Sequence, residues 1–369
     1  MILNLFKNKK RDNSSGRALY YTVTIKKIIR ETEDAVSIVF DNPGDEIQYK
    51  AGQYITLILD IDGEEMRRSY SLSTSPDYES EMAVTIKKIE GGTVSNYLLN
   101  QLKPGDALKI MAPAGNFTTS FGKENQRTFI LFAGGSGITP LISIIKSALI
   151  KEPHAPIILA YQNRNENTII FKNAIQEFRQ KYSDRFQVIH ILSQPSGAWK
   201  GEKGRMSSDF IKGIFKTSGV NPEKVVVFVC GPDGMMNTVE TTLDQLGIDK
   251  RNRYKESFYG SSTKNTKTDP QKDKEPLKSE SNVSIHLEGE DYEIVVNTDE
   301  FILEKALDAD IDMPFSCQGG VCTTCRGKLL SGRVEMEDPD GLSDEEIEAG
   351  YILTCVSHPE SKEVKIRIE

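Results

Sequence analysis

Four cysteines constrain this chain more than any other feature. Cys317, Cys322 and Cys325 stand in CQGGVCTTC, and Cys355 follows after 29 intervening residues. Thiolates spaced CxxxxCxxC with a distant fourth Cys suit a [2Fe–2S] cluster, with three ligands from one loop and the fourth from a remote segment. Gly319 and Gly320 are expected to let the chain fold tightly over the cluster and turn backbone N–H groups toward its negatively charged sulfurs. A four-cysteine structural zinc site is the alternative, although such sites usually pair two short CxxC knuckles. Five cysteines in 369 residues make an odd, sparse set that argues against a disulfide scaffold.

The chain is long enough for two or three separate cores. Its clearest boundary is residues 261–281, where Leu277 is the one large apolar side chain among Lys, Asp, Ser, Thr and two prolines. Such a stretch reads as a flexible linker. Residues 1–17 read as a mobile arm. From 18 to 122, short alternating runs (YYTVTIKKI, AVSIVF, QYITLIL, RRSYSLS, EMAVTIKKI, ALKIMAP) punctuated by turn clusters predict an antiparallel β-barrel or sandwich. From 123 to 260, the apolar runs TFILFA, IILAY, FQVIHIL and VVVFVC each precede a helical pattern, which predicts an α/β domain with a mostly parallel sheet. Residues 282–369 predict a compact α+β module that opens on a hairpin turning at GED.

Residues 282–369 carry 21 Asp/Glu against 7 Lys/Arg, while residues 1–281 carry 33 against 39. With no dense basic run interleaved with aromatics, nucleic-acid binding is not expected. Electrostatic docking of the acidic module on the basic body is expected instead, through a face that includes Glu335, Glu337, Asp338 and Asp340 and that serves the body and an external acceptor in turn. There is no run of eighteen apolar residues, so a cytoplasmic protein without stable membrane association is expected.

FAGGSGITP places Gly135, Ser136, Gly137 and Thr139 between an apolar strand and a helix. This is a turn where backbone N–H groups can approach a phosphate, with Thr139 as helix cap and Pro140 in the first turn. YQNR ends the next strand with Arg164 where an acid would hold a ribose hydroxyl, which biases the site toward NADPH over NADH. Cys230, in CGPDGMM, ends the fourth strand at the rim where open α/β sheets bind ligands. In the barrel, Arg68, Tyr70 and Ser71 join a guanidinium, a ring and a hydroxyl, and GGTVSN offers Gly92, Val94 and Ser95 for a second phosphate contact.

RSYS, GGTVSNYL, GGSGITP and CGPDGMM in that order, with the four cysteines behind them, resemble the ferredoxin–NADP reductase family fused to a C-terminal plant-type ferredoxin, over residues 18–369. The resemblance implies a flavin-binding barrel at 18–122, an NAD(P)-binding domain at 123–260 and a β-grasp ferredoxin domain at 282–369. It implies that Arg68, Tyr70 and Ser71 cradle FAD, that Gly92, Val94 and Ser95 hold its pyrophosphate, and that Gly135 to Thr139 hold NADPH or NADH. It also implies that Ser71, Cys230 and Glu256 carry the hydride chemistry. FMN stays open as the alternative flavin. Ser257 stands where the family pattern leads one to expect Arg. Within the family, RRSYS, YQNR, KESF and the cysteine segment through GYILTC are similar to reductase components of phenylacetyl-CoA ring epoxidases. That implies a separate oxygenase, a di-iron component, as electron acceptor. Reductases for a Rieske oxygenase, a desaturase or a cytochrome P450 remain open, as does a zinc-stapled interaction module.

Overall fold

The computed structural model describes residues 20–41, 47–258 and 280–368. The first sheet is built from β1 (Tyr20–Thr32), β2 (Ala35–Phe40), β3 (Tyr54–Ile61), β4 (Glu64–Ser71), β5 (Met82–Lys87) and β6 (Ala107–Met111), with α1 (Thr93–Asn100) between the last two. Its order is β4-β3-β6-β1-β2-β5 and its pairings are antiparallel. A bridge between Leu72 and Val84 joins the two ends and curls the sheet into a barrel. All six residues of AVSIVF are buried. The one hydroxyl among them, Ser37, is satisfied by Thr85 at 2.8 Å and Glu31 at 2.7 Å, as a buried polar group must be.

The second sheet comprises β7 (Thr128–Gly134), β8 (Ile157–Asn163), β9 (Phe186–Leu192), β10 (Glu202–Lys203), β11 (Val225–Cys230) and β12 (Arg253–Glu256). Every pairing in it is parallel, in the order β10-β9-β8-β7-β11-β12. Helices α2 (Ile138–Lys151), α3 (Lys172–Lys181), α4 (Ser208–Ser218) and α5 (Asp233–Gln245) supply the crossovers. The central strands β7, β8 and β11 are largely apolar and buried because both faces are covered, whereas the edge strands β10 and β12 are charged. Chain direction across the sheet reverses between β7 and β11, so Gly134 and Cys230 flank a topological switch point, the place where such sheets hold ligands.

Barrel and α/β domain are locked together. Eleven of the fourteen residues of α2 are buried, and its polar residues face the barrel: Ser143 donates to Thr74 O at 2.5 Å, Ser147 pairs with Ser75 at 2.7 Å, and Lys146 reaches Ser73 O and Glu79. Phe117 packs edge-on against Phe228 at 5.3 Å.

The third unit holds β13 (Glu280–Leu287), β14 (Glu290–Asn297), α6 (Ile302–Asp308), β15 (Arg326–Ser331), β16 (Val334–Met336), α7 (Asp344–Glu348), β17 (Tyr351–Leu353), β18 (Ser357–Pro359) and β19 (Glu363–Ile368). Its five-stranded mixed sheet runs β14-β13-β19-β15-β17, and β16 pairs with β18. The opening hairpin turns on Glu288 and Gly289, both at positive φ (52° and 87°). Glu290 is already paired with Leu287, so the turn is one residue tighter than GED and uses the two left-handed residues a short hairpin loop requires. Strand β13 starts at Glu280, two residues inside the span read as linker. The rest of that linker (261–279) and the arm at 1–17 lie outside the described residues. Among the described residues no helix is long and apolar enough to cross a membrane.

Candidate electron-transfer site

Two loops press together at the switch point. The glycines of 134–137 form a short 3-10 turn ahead of α2, and Gly137 lies so close to the end of β11 that a Cβ there would stand 2.2 Å from Cys230 O. Gly135 takes φ +54°, its carbonyl fixed by the buried Tyr161 hydroxyl at 3.0 Å. The helix begins at Ile138, so Thr139 is not the cap. It sits inside the first turn and donates to Ser136 O at 2.9 Å, because the 3-10 turn takes up the residues that a cap would otherwise follow. Arg164 follows β8 and is exposed. Lys87 of the barrel, which no motif singled out, brings its ammonium to 3.9 Å from the position of a Cβ on Gly135.

Parallel register makes Cys230 and Glu256 partners on β11 and β12, and Ser71 Oγ donates to Glu256 Oε2 at 3.1 Å. The three residues expected to act together are therefore brought together from three strands. Cys230 is fully buried and its thiol is pushed well up, by burial first and then by Glu256. Glu256 as a residue is half-buried, yet its carboxyl is packed densely enough that burial pushes it up to about 8, with the Ser71 bond opposing. Arg68 and Tyr70 alternate with Ser71 along β4, Arg68 exposed and Tyr70 half-buried. GGTVSN forms the start of α1, with Gly92 at its cap, Val94 and Ser95 buried, and Ser95 Oγ accepting from Ile89 N at 3.0 Å. Ser257 Oγ donates to Asp233 Oδ1 at 3.4 Å, tying β12 to the start of α5.

The cysteine loop is seated on the barrel. Cys325 and Cys355 sulfurs lie 3.3 Å apart, and Cys317 neighbours both Cys322 and Cys355, so the four form an open chain. Among the described residues no three of His, Cys, Asp or Glu are arranged for a single metal ion. The Cys317 sulfur is drawn down by hydrogen bonds from Cys322 and Cys355 and from the Gly319 N–H at 3.4 Å. Gly320 is the glycine the loop requires, at φ +72° with a Cβ position 2.4 Å from Asp338 O. Gly319 has room for a side chain, with nothing nearer than 3.7 Å, and Gln318 takes the other left-handed position at φ 52°. Cys355 comes from a 3-10 turn just after β17.

Residues to which no motif assigned this role make the seat. Arg67, 8% exposed, lies 3.5 Å from Asp312 and 4.3 Å from the Phe315 ring centre. Tyr20 donates to Asp312 at 3.3 Å, Ser69 to Ser316 at 2.9 Å, and Asn116 to Glu346. The Tyr54 hydroxyl meets Thr323 and Thr324. Burial pushes that phenol well up. Glu335, Glu337, Asp338 and Asp340 stay exposed. The expectation that the face with these four acids docks on the body is therefore corrected: the module's acids in this seat are Asp312 and Glu346, beside aromatic and hydroxyl contacts, and the four lie elsewhere. Tyr54 and Ser71 are register partners across β3 and β4, so one strand pair touches both the cluster loop and the Glu256–Cys230 rim.

The chain matches three family models: an oxidoreductase FAD-binding domain over residues 21–119, an oxidoreductase NAD-binding domain over 131–241 and a 2Fe-2S iron-sulfur cluster binding domain over 285–360. It is 35% identical to one component of the 1,2-phenylacetyl-CoA epoxidase of Escherichia coli K12, over 94% of this chain and 97% of that one. The chain belongs to the ferredoxin–NADP reductase family fused to a plant-type ferredoxin. The reductase is also 34% identical to the ferredoxin reductase component of the 3-ketosteroid-9-alpha-monooxygenase of Rhodococcus rhodochrous, over 93% and 95% of the two chains. Phthalate dioxygenase reductase shares its fold, with a TM-score of 0.56 and 22% identity over 95% and 98%. The reductase is an oxidoreductase with FAD-binding, NAD-binding and [2Fe–2S] domains.

The residues present fit those groups. Four converging sulfurs, with an N–H aimed at Cys317 and a glycine that lets the chain close over them, suit an anionic cluster. The left-handed Gly135, with Lys87 beside it and the start of α2 behind, suits a pyrophosphate. The raised Glu256 has a consequence for the reductase's stability. Its folded state holds a proton that the unfolded chain has released, so stability present below about 4.5, the ordinary carboxyl value, is lost as pH rises through about 8. We expect thermal unfolding of Glu256→Gln to lack that loss, gaining on the order of 2 kcal/mol over the parent at pH 9 after allowance for partial exposure. Parallel pH profiles of the two proteins would count against a raised carboxyl.

Proposed function

We propose that this chain passes electrons from NADPH through FAD and its [2Fe–2S] cluster to a separate di-iron oxygenase of the phenylacetyl-CoA epoxidase type. The observation that carries the relay is the β3–β4 pair, which touches the cluster loop through Tyr54 and the hydride rim through Ser71. Bound FAD supplies the conversion of a two-electron hydride into single electrons, which neither nicotinamide nor cluster can perform. Arg68 would face its phosphate and Tyr70 its ring system, with Gly92, Val94 and Ser95 at its pyrophosphate. Ser71 and Glu256 would hold its reacting edge, and a Glu256 that keeps its proton near neutral pH sets no negative charge against the arriving hydride. Cys230, uncharged in its buried seat, would pack where the nicotinamide meets the flavin.

Gly135, Ser136, Gly137 and Thr139 would bind the nicotinamide nucleotide, with Arg164 at its 2′-phosphate. A charged contact there is worth about 1.5 to 3 kcal/mol, so Arg164→Ala should lower kcat/KM for NADPH about tenfold to a hundredfold while sparing NADH. An equal fall for both nucleotides would remove Arg164 from that role.

The similarity to the epoxidase component supports the choice of acceptor. The 3-ketosteroid monooxygenase component, almost as similar, supports a second reading in which another oxygenase is served. Reconstitution decides between them: the purified chain, NADPH and either oxygenase component, scored by substrate consumed. The exposed acids make delivery to the right acceptor fall as ionic strength rises. Turnover with the steroid system alone would overturn the epoxidase assignment.

A further inference from the structure

Tyr54 belongs to the flavin barrel, yet its hydroxyl is engaged by the other module. Its backbone is pinned to Ala114 in both directions, N–H to carbonyl at 2.9 Å each way. Its ring lies over Gly115, where a Cβ would meet two ring carbons at 3.0 Å. The barrel alone therefore fixes where the hydroxyl points. That hydroxyl accepts the Thr323 N–H at 3.0 Å and lies 3.0 Å from Thr323 Oγ1 and 3.1 Å from Thr324 Oγ1. Thr324 Oγ1 lies 3.5 Å from Sγ of Cys322.

A phenol has one proton to give and two lone pairs to fill. The N–H and hydroxyl of Thr323 can fill the lone pairs, which leaves the phenol proton for Thr324. Thr324 then has its own proton for Cys322, whose sulfur as a metal-bound thiolate can only accept. We propose that Tyr54 and Thr324 form a hydrogen-bond relay, phenol to hydroxyl to cysteine sulfur, that makes the cluster easier to reduce while the ferredoxin module is seated on the barrel. Hydrogen bonds to cluster sulfurs favour the more negative, reduced state. Neither residue is oxidised or deprotonated: one electron leaves the reduced flavin, the cluster gains it, and the relay alters only how well the added charge is held. By linkage, reduction tightens the seat to the same degree that seating favours reduction. Tyr54 is thus a positioning residue, and the inference rests on the proposed flavin-to-cluster function.

The test is a redox titration of the full-length holoprotein, with the cluster followed by EPR and NADPH-to-flavin transfer followed separately. At a fixed ambient potential the ratio of reduced to oxidised cluster should fall about fivefold in Tyr54→Phe and in Thr324→Val, about 40 mV on the one-electron scale. Hydride transfer to the flavin should not change. Thr324→Ser, which keeps the hydroxyl, should restore the ratio. Exchange of the Thr323 amide hydrogen should quicken in Tyr54→Phe, which keeps the ring and loses the acceptor. Unmoved ratios in both Tyr54→Phe and Thr324→Val, or Thr324→Ser behaving like Thr324→Val, would overturn the relay. A wild-type protein without iron would instead defeat the functional reading beneath it.

Discussion

Replacing Cys355 with alanine is expected to abolish electron delivery to any acceptor while leaving reduction of the flavin by NADPH intact. Cys355 is 5% exposed and stands inside the sulfur chain, between Cys325 and Cys317. It is the one sulfur of the four supplied from outside the 317–325 loop, so its loss would leave only that loop's three cysteines to hold a cluster. Alanine also removes a side chain from the module's core, where Cys355 packs with Cys325, Leu353 and Val356. Iron and sulfide per chain should fall at least about tenfold, since a metal site missing a ligand forfeits much of its binding free energy. The flavin site contains no part of this module's core, so its reduction should proceed at the parent rate. Cys230→Ala is the contrast: that thiol lies at the end of β11 in the α/β domain, and iron content should not change. Loss of iron from Cys230→Ala would show the ligand assignment to be wrong.

The second large effect is expected at Gly137. A Cβ there would stand 2.2 Å from Cys230 O, 2.5 Å from the same carbonyl carbon and 2.8 Å from Gly231 N. All three are backbone atoms at the end of the strand that anchors the switch point, and backbone cannot rotate away as a flexible side chain can. Gly137→Ala must push the loop off β11, at about 2 to 4 kcal/mol for overpacking against fixed structure. The nucleotide N–H groups move with the loop, so NADPH affinity should fall more than about tenfold. The EPR spectrum of a chemically reduced cluster should stay as in the parent. Gly213 supplies the control, since it sits within α4 with nothing within 4 Å of a Cβ. Gly213→Ala should stabilise by about 0.5 to 1 kcal/mol through helix propensity. Equal nucleotide affinity in the Gly137 and Gly213 variants would refute the packing argument.

Local features of this molecule are legible in its sequence, and contacts between modules are not. The cysteine spacing, the strand runs and the glycine turn before α2 are each set by neighbouring residues, and the barrel, the parallel sheet and the α+β module follow from them. Caps and turns mislead where two local solutions compete. Thr139 looks like a cap until the glycines before it form their own 3-10 turn, and GED looks like a three-residue loop until Glu288 accepts a left-handed conformation. Strands β10 and β12 are edge strands of two and four residues, too short to show a period. RRSYS illustrates the deeper limit. Alternation on β4 puts Arg67 and Arg68 on opposite faces, but nothing local says that the buried Arg67 grips the ferredoxin module through Asp312 and Phe315. Tyr54 and Thr324 are 270 positions apart, and only the seated arrangement of two separately folded modules brings them together.

Central to this account is one chain that holds a two-electron and a one-electron centre in series. Anaerobic titration of the purified protein with NADPH, followed by visible absorption and EPR, tests that directly. The expected result is uptake of about three electrons per chain, two at the flavin and one at the cluster, with the EPR signal of the reduced cluster growing as flavin absorption bleaches. Uptake of only about two electrons with no such signal would contradict it, as would a chain that binds zinc and remains colourless.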